Sequence, residues 1–256
     1  MKLAISNIAW SREQDDVVAT LLREAGVEGI EIAPTAIWPD PVHVAPDEAR
    51  RLRDWWGERG LKIVALQALL FGRPDLRLFG SDAQRRELLD HLTAIFDLAA
   101  RLGAGPLVFG SPRNRLAGSL PADQAFAIAA GFFREAGTRA AARQVTLCIE
   151  PNPADYGCDF VTTVPQAMAL VREAGSPGFA LHVDGGELAL NHEPLPGTIT
   201  AAKPVMRHFH ASEPFLTPLG SGASDHAAYA SALRTAGYEG WVSLEMKAPE
   251  GGIGAL

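Results

Sequence analysis

Val145-Thr146-Leu147-Cys148-Ile149-Glu150-Pro151-Asn152 is a short β-forming, mostly apolar run that ends on a carboxylate and breaks at a proline. An apolar run of this length closed by a turn signal fits a strand buried on both faces, as in a parallel sheet. Working outward, the same pattern recurs at Lys2 to Ser6, Glu28 to Ala33, Lys62 to Leu66, Pro106 to Gly110, Phe179 to Asp184, Met206 to His210 and Trp241 to Met246. With Val145 to Glu150 there are eight segments, whose starts are 26, 34, 44, 39, 34, 27 and 35 residues apart. Each interval holds one strand, one helix and two loops, and eight such units close a (β/α)8 TIM barrel. A barrel of this kind needs about 250 residues, so residues 1–256 are read as one domain.

Helix punctuation supports the repeat. Pro46 and Pro121 suit first-turn positions, Ser81, Thr163 and Asp225 suit N-caps, and Gly26, Gly60, Gly103, Gly175 and Gly237 fall where helices should stop. Leu88, Leu92, Ile95, Ala99 and Leu102 recur at helical spacing, giving one apolar face. Pro194, Pro196, Gly197 and Pro204 predict that the sixth helix is short or partly a loop, and ten residues after Met246 predict an eighth helix that is short or absent.

The net charge of -7, from 23 basic and 30 acidic residues, argues against nucleic acid or an anionic membrane as partner. No apolar run reaches the roughly 18 residues of a membrane span. Two cysteines, Cys148 and Cys158, form no disulfide framework, so a reduced, cytoplasmic setting is expected.

In a TIM barrel the strand ends facing the following helices build the active site. Here the last four strands end on Glu150, Asp184, His210 and Glu245, spaced by 34, 26 and 35 residues. Three acids converging on one mouth would repel one another unless a cation joined them. One imidazole with three carboxylates suits an octahedral divalent metal, Mn2+, Mg2+ or Co2+, better than a closed tetrahedral Zn2+ site.

Ile149-Glu150-Pro151-Asn152, His208-Phe209-His210 and Ser243-Leu244-Glu245-Met246, together with this quartet, resemble the xylose isomerase-like TIM barrel superfamily. Its members include sugar epimerases, isomerases, a dehydratase and endonuclease IV. The resemblance spans Leu3 to Glu245. It implies a metal-dependent isomerase or epimerase acting on a sugar or sugar phosphate, in which Glu150 and Glu245 form the acid/base pair while Asp184 and His210 complete the metal shell. One glutamate would take a carbon-bound proton, leaving an enediolate on the metal, and the other would return it. Return to the opposite face is epimerisation, and return to the neighbouring carbon is isomerisation. The chain departs from the family at Glu187, where many members carry a histidine, and at His210-Ala211-Ser212-Glu213-Pro214, where a basic group is expected. A dehydratase or lyase on a keto-polyol stays open as an alternative. An endonuclease IV-like nuclease lacks its extra histidines here, and a non-catalytic barrel and a homodimer contact on the β8 flank are further readings.

Substrate contacts are expected from several loops. Ser111, Arg113 and Arg115, after the fourth strand, offer an anion handle, and Lys247 follows Glu245 on the same strand face. Trp10, Trp38 and Phe71 are candidate sugar-packing walls, and Gln67, Asn152 and Glu187 are candidate polar contacts. Glu31, inside the second strand, needs a partner and is expected to support the site or bind a hydroxyl. His182 and His208 are read as hydrogen-bonded core histidines.

Overall fold

The computed structural model describes residues 1–222 and 224–251. Its strands are β1 (Lys2–Ser6), β2 (Gly29–Ile32), β3 (Lys62–Leu66), β4 (Pro106–Phe109), β5 (Thr146–Ile149), β6 (Phe179–Asp184), β7 (Met206–Ser212) and β8 (Trp241–Glu245). They pair in sequence order and in parallel, and β8 pairs with β1 to close the barrel. The expected fold class is therefore the observed one. The helices are α1 (Asp15–Glu24), α2 (Pro46–Glu58), α3 (Asp82–Leu102), α4 (Ala122–Ala141), α5 (Val164–Ala174), α6 (Gly185–Leu190), α7 (Gly197–Ala202) and α8 (His226–Thr235). None of them is long and apolar enough to cross a membrane.

Local chemistry explains the boundaries. Ser81 and Gln84 form a reciprocal capping box at the start of α3, and Gly103 ends that helix at φ 80°. Asp225 accepts from the Ala228 amide to cap α8. Pro121 precedes the first turn of α4 instead of lying in it. The sixth connection resolves into the two short helices α6 and α7, as its Pro and Gly content predicts. Residues 246–251 hold no helix, and the remainder of the expected eighth helix lies outside the described residues.

Between sheet and helices lies one continuous apolar core, to which α3 contributes Leu88, Leu92, Ile95, Ala99 and Leu102, all buried. Phe133 of α4 stacks on Phe179 at 4.5 Å and meets Phe109 edge-on at 5.3 Å. Inside the barrel the pleat sets which side chains meet. Adjacent residues on β6, β7 and β8 are His182 beside His208, Asp184 beside His210, His210 beside Ser243, and Ser212 beside Glu245. Period-two alternation turns all of these toward the barrel axis. Strand β7 runs two residues past its expected end because Ala211 and Ser212 pair with Leu244 and Glu245.

Two glycines test this packing in opposite directions. A Cβ on Gly178 would overlap the Gly137 carbonyl oxygen and crowd the Ala141 amide at 2.6 Å, both backbone atoms of α4. Gly178→Ala is expected to cost about 1–3 kcal/mol through overpacking. Gly131, exposed within α4, has open space around its Cβ position. There Gly131→Ala should gain about 0.5–1 kcal/mol from helix propensity. Thermal melts of both variants against the parent check the pair.

Candidate metal centre and active site

His210 is wholly buried, and its two ring nitrogens face different groups. Nε2 lies 2.9 Å from Glu31 Oε2. Nδ1 faces the mouth, 3.2 Å from Glu245 Oε2, 3.8 Å from Asp184 Oδ2 and 3.9 Å from Glu150 Oε1. A proton held on Nε2 by Glu31 leaves the Nδ1 lone pair for a cation, the arrangement usual behind metal-ligating histidines. Glu31 is itself fully buried on β2 and also meets His208 Nε2 at 3.3 Å. It thus lies behind the site, paired with histidines, and does not reach the cavity where a substrate hydroxyl would bind.

The carboxylates are held from the side. Asp184 Oδ2 accepts from Ser212 Oγ at 2.5 Å, and Oδ1 accepts from the Glu187 amide at 2.8 Å, so the residue also caps α6. Glu150 Oε2 accepts from Asn152 Nδ2 at 3.0 Å. The same amide donates to Glu187 Oε1, and its oxygen accepts from Arg115 Nη2 at 2.5 Å. Those three contacts leave Asn152 one orientation.

Crowding shows in the proton affinities. Burial, then Glu245 and Glu150, push the Asp184 carboxyl up to about 7. Burial, then Glu150 and Asp184, raise Glu187 well above the usual carboxylate range. Burial opposes charge on His210, but Glu31 and Glu245 overcome it and raise its pKa well above that of a free imidazole. Conversely, burial and the neighbouring His210 and His208 depress His182. The protein therefore gathers protons where it has gathered acids.

The donor set fits a divalent cation. Single ligand atoms of Glu150, His182, Asp184 and His210 lie within 4.8 Å of one another, and His210 Nδ1 is buried without a hydrogen-bond partner among the described residues. Glu245 adds its carboxylate beside His210. Glu150, Asp184, His210 and Glu245 are thus brought together from four consecutive strands. His182, read from sequence as a core histidine, instead reaches Glu150, with Nε2 3.2 Å from Oε1. Its position two residues before Asp184 on the same strand face carried that signal.

Above these groups opens a cavity of about 320 Å3 walled by Ser111, Asn152, Glu187 and Lys247 together with Tyr156, Phe215 and Leu216. The first four are residues expected from the sequence to meet substrate, and the structure places them on the cavity wall. The apolar wall does not come from the expected aromatics. Trp10 is buried, edge-on to Trp56, with its indole nitrogen donating to Asp15 at 2.8 Å. Trp38 is buried and donates to Glu48 at 2.7 Å, while Phe71 is 72% exposed and lies outside the cavity wall. The wall is built instead by Tyr156 after β5 and Phe215 after β7, which meet edge-on at 5.4 Å. Phe215 and Leu216 take positive φ of 61° and 59°, a conformation that apolar residues give no sequence sign of adopting.

Three other polar expectations are also redirected. Gln67 is buried, donates to Ser6 Oγ at the end of β1 and does not line the cavity. Arg115 is fully buried and donates to the Glu150 carbonyl at 2.6 Å, so it braces the β5 turn from beneath instead of meeting substrate. The cause is the loop itself, in which Asn114 ties back to the Arg73 and Leu76 carbonyls and tucks Arg115 under. Arg113 points out of the mouth into a neighbouring cavity. Glu213 likewise serves its own loop, accepting from the Gly220 and Ser224 amides and lying 3.0 Å from His226 Nε2.

These shifts set a pH dependence for the metal-free protein. A raised carboxyl such as Asp184 contributes stability that is complete below its unfolded value of about 4 and is lost as pH rises through its folded value. Melting temperature without metal should therefore fall between about pH 4 and pH 7. Added Mn2+ should raise it more at pH 8 than at pH 5, as differential scanning fluorimetry would show. His210→Ala should abolish most of this metal-induced shift.

Several comparisons place the chain among known proteins. No curated protein sequence matches it. Among solved structures it resembles an L-ribulose 3-epimerase, with 22% identity and TM-score 0.81, over 98% of this chain and 83% of that one. A D-psicose 3-epimerase from Clostridium cellulolyticum H10, solved with D-tagatose, matches at 16% identity and TM-score 0.81, over 99% and 87% of the two chains. The IOLI protein, solved with a bound zinc atom, matches at 20% identity and TM-score 0.74, over 98% and 90%. The family model for the xylose isomerase-like TIM barrel matches residues 19–255, and the chain belongs to that family.

Proposed function

We propose that the protein is a metal-dependent isomerase or epimerase of a small carbohydrate, working by proton transfer next to a carbonyl. One observation carries this reading. Glu150 at the end of β5 and Glu245 on β8 bracket Asp184 and His210, and both line the same 320 Å3 cavity. A substrate held between them presents a carbon-bound proton to one carboxylate and its opposite face to the other. The structurally similar L-ribulose and D-psicose 3-epimerases support the assignment.

Glu150, Asp184 and His210 would hold the cation, with His182 in the same cluster and Glu245 joining through its contact with His210. When bound, a divalent cation offsets the carboxylate charge and acidifies the proton beside a chelated carbonyl. Mn2+, Mg2+ or Co2+ suits the oxygen-rich donor set, and Zn2+ suits it less well. Glu150, held by Asn152, and Glu245 then take and return the proton. Tyr156, Phe215 and Leu216 cover the apolar face of the sugar and exclude water, while Ser111, Glu187 and Lys247 meet hydroxyl or carbonyl oxygens. The buried free thiols Cys148 and Cys158 agree with a cytoplasmic setting. A homodimer contact on the flank where β8 meets β1 would cover the exposed Leu3, and sedimentation would test it.

A dehydratase reading has one observation in its favour. Glu187 is a further carboxyl on the cavity wall, and burial with Glu150 and Asp184 beside it raises its proton affinity. Such an acid can hand its proton to a leaving hydroxyl, which departs as water.

Incubation with Mn2+ and a panel of ketoses, aldoses and their phosphates in D2O separates these outcomes. Epimerisation or isomerisation places deuterium at carbon without loss of mass as water, whereas dehydration gives a lighter product. Glu150→Gln and Glu245→Gln should each slow exchange by about 10^2–10^4-fold. Metal-loaded protein that exchanges no proton on any compound would overturn the proposal.

A further inference from the structure

A second cavity, larger than the mouth at about 510 Å3, lies on the other side of the loop that follows β4. Ser111 and Pro112 of that loop face the mouth, while Arg113, Asn114 and Leu116 face the second cavity. Tyr156 is common to both walls. The two spaces are therefore neighbours across one residue and one short loop.

Their charges are opposite. The mouth is lined by Glu150, Asp184, Glu187 and Glu245 against a single Lys247. The second cavity is lined by Arg77 and Arg113 and by no carboxylate among the described residues. Arg77 makes only a long bond to the Pro74 carbonyl, at 3.4 Å, and Arg113 has no ion pair or hydrogen bond among the described residues. Among acids close by in sequence, Asp155 next to Tyr156 is exposed and does not line the cavity, and three others are already engaged. Asp75 pairs with Arg73 at 2.7 Å, Asp82 pairs with Arg85, and Asp159 accepts from the Ala117 and Gly118 amides. Phe79, packed edge-on against Phe160 at 4.8 Å, gives the cavity a firm apolar side.

We infer that this second cavity binds an anionic group, phosphate or carboxylate, carried by the substrate whose reacting end lies in the mouth. The inference rests on the carbohydrate reading above and narrows it to an acidic sugar derivative. The mouth offers one cationic side chain, Lys247, beside carboxylates that the cation would engage, whereas the second cavity offers two guanidinium groups, each able to hold an anion in bidentate fashion. The substrate would then cross between the cavities at Tyr156, the residue common to both walls.

Titration of the Mn2+-loaded full chain with an uncharged ketohexose, its 6-phosphate and the corresponding ketohexonate tests this. The charged compounds should bind at least about tenfold more tightly than the uncharged one, as expected for charge-assisted Arg contacts. That advantage should shrink with added salt and should vanish in Arg77→Ala/Arg113→Ala protein, with an unchanged melting temperature reporting that the variant folds. Preference for the phosphate or for the carboxylate arm identifies the group. Equal binding of charged and uncharged sugars overturns the inference, as does an anion preference that survives in the double variant. If the anion preference behaves as stated but no compound exchanges its proton, the isomerase reading fails and the cavity assignment stands. Proton exchange with no anion preference has the reverse meaning.

Discussion

The contact between His210 Nε2 and Glu31 ties β7 to β2 across the inside of the barrel. Without it the ring would be free to turn, and its second nitrogen would have no reason to face Asp184, Glu150 and Glu245. Glu31 can stay ionised in a dry interior because His210 and His208 overcome the cost of burying it and hold its proton affinity well below the ordinary carboxylate range. A charge placed where it is hardest to hold thus sets the geometry of the groups above it.

The barrel register carries this order outward. Because β6, β7 and β8 are in step, the inward-facing residues form tiers, with His182 and His208 below, Asp184 and His210 above them, and Ser212 beside Glu245 at the rim. Each tier supports the next through direct contacts. Ser212 holds Asp184, Asp184 caps α6, and α6 delivers Glu187 to the wall. A one-residue slip in any of these strands would turn its whole inward set outward.

Much of this was legible in the sequence, and the reasons differ by residue. The eight strands were readable because buried parallel strands are short apolar runs with abrupt polar ends, and β1, β3 and β6 begin and end where those runs do. The quartet was readable because one side chain per unit falls at a strand end. Loop residues were not, since their aim depends on turns that leave little mark on composition. Arg113 and Arg115 are two residues apart, yet one reaches solvent and the other is wholly buried because Asn114 folds the loop between them. Trp10 and Trp38 follow strands as a sugar-packing aromatic would, but Asp15 and Glu48 capture their indoles and draw them into the core. Phe215 carried no sign at all of the positive φ that brings it over the mouth.

The loop after β4 acts as a partition wall. The carboxylates and histidine of the proposed metal site come from β5 to β8, while the arginines beyond the wall come from the connections after β3 and β4. The two halves share Tyr156 and few other parts. On the proposed reading, such a layout would let the recognition side be rebuilt by exchanging the connection after β3, while Arg115 of the β4 loop keeps its brace on Glu150 and Asn152. For an engineer the barrel mouth would then be two half-instruments joined at one aromatic ring and one short loop.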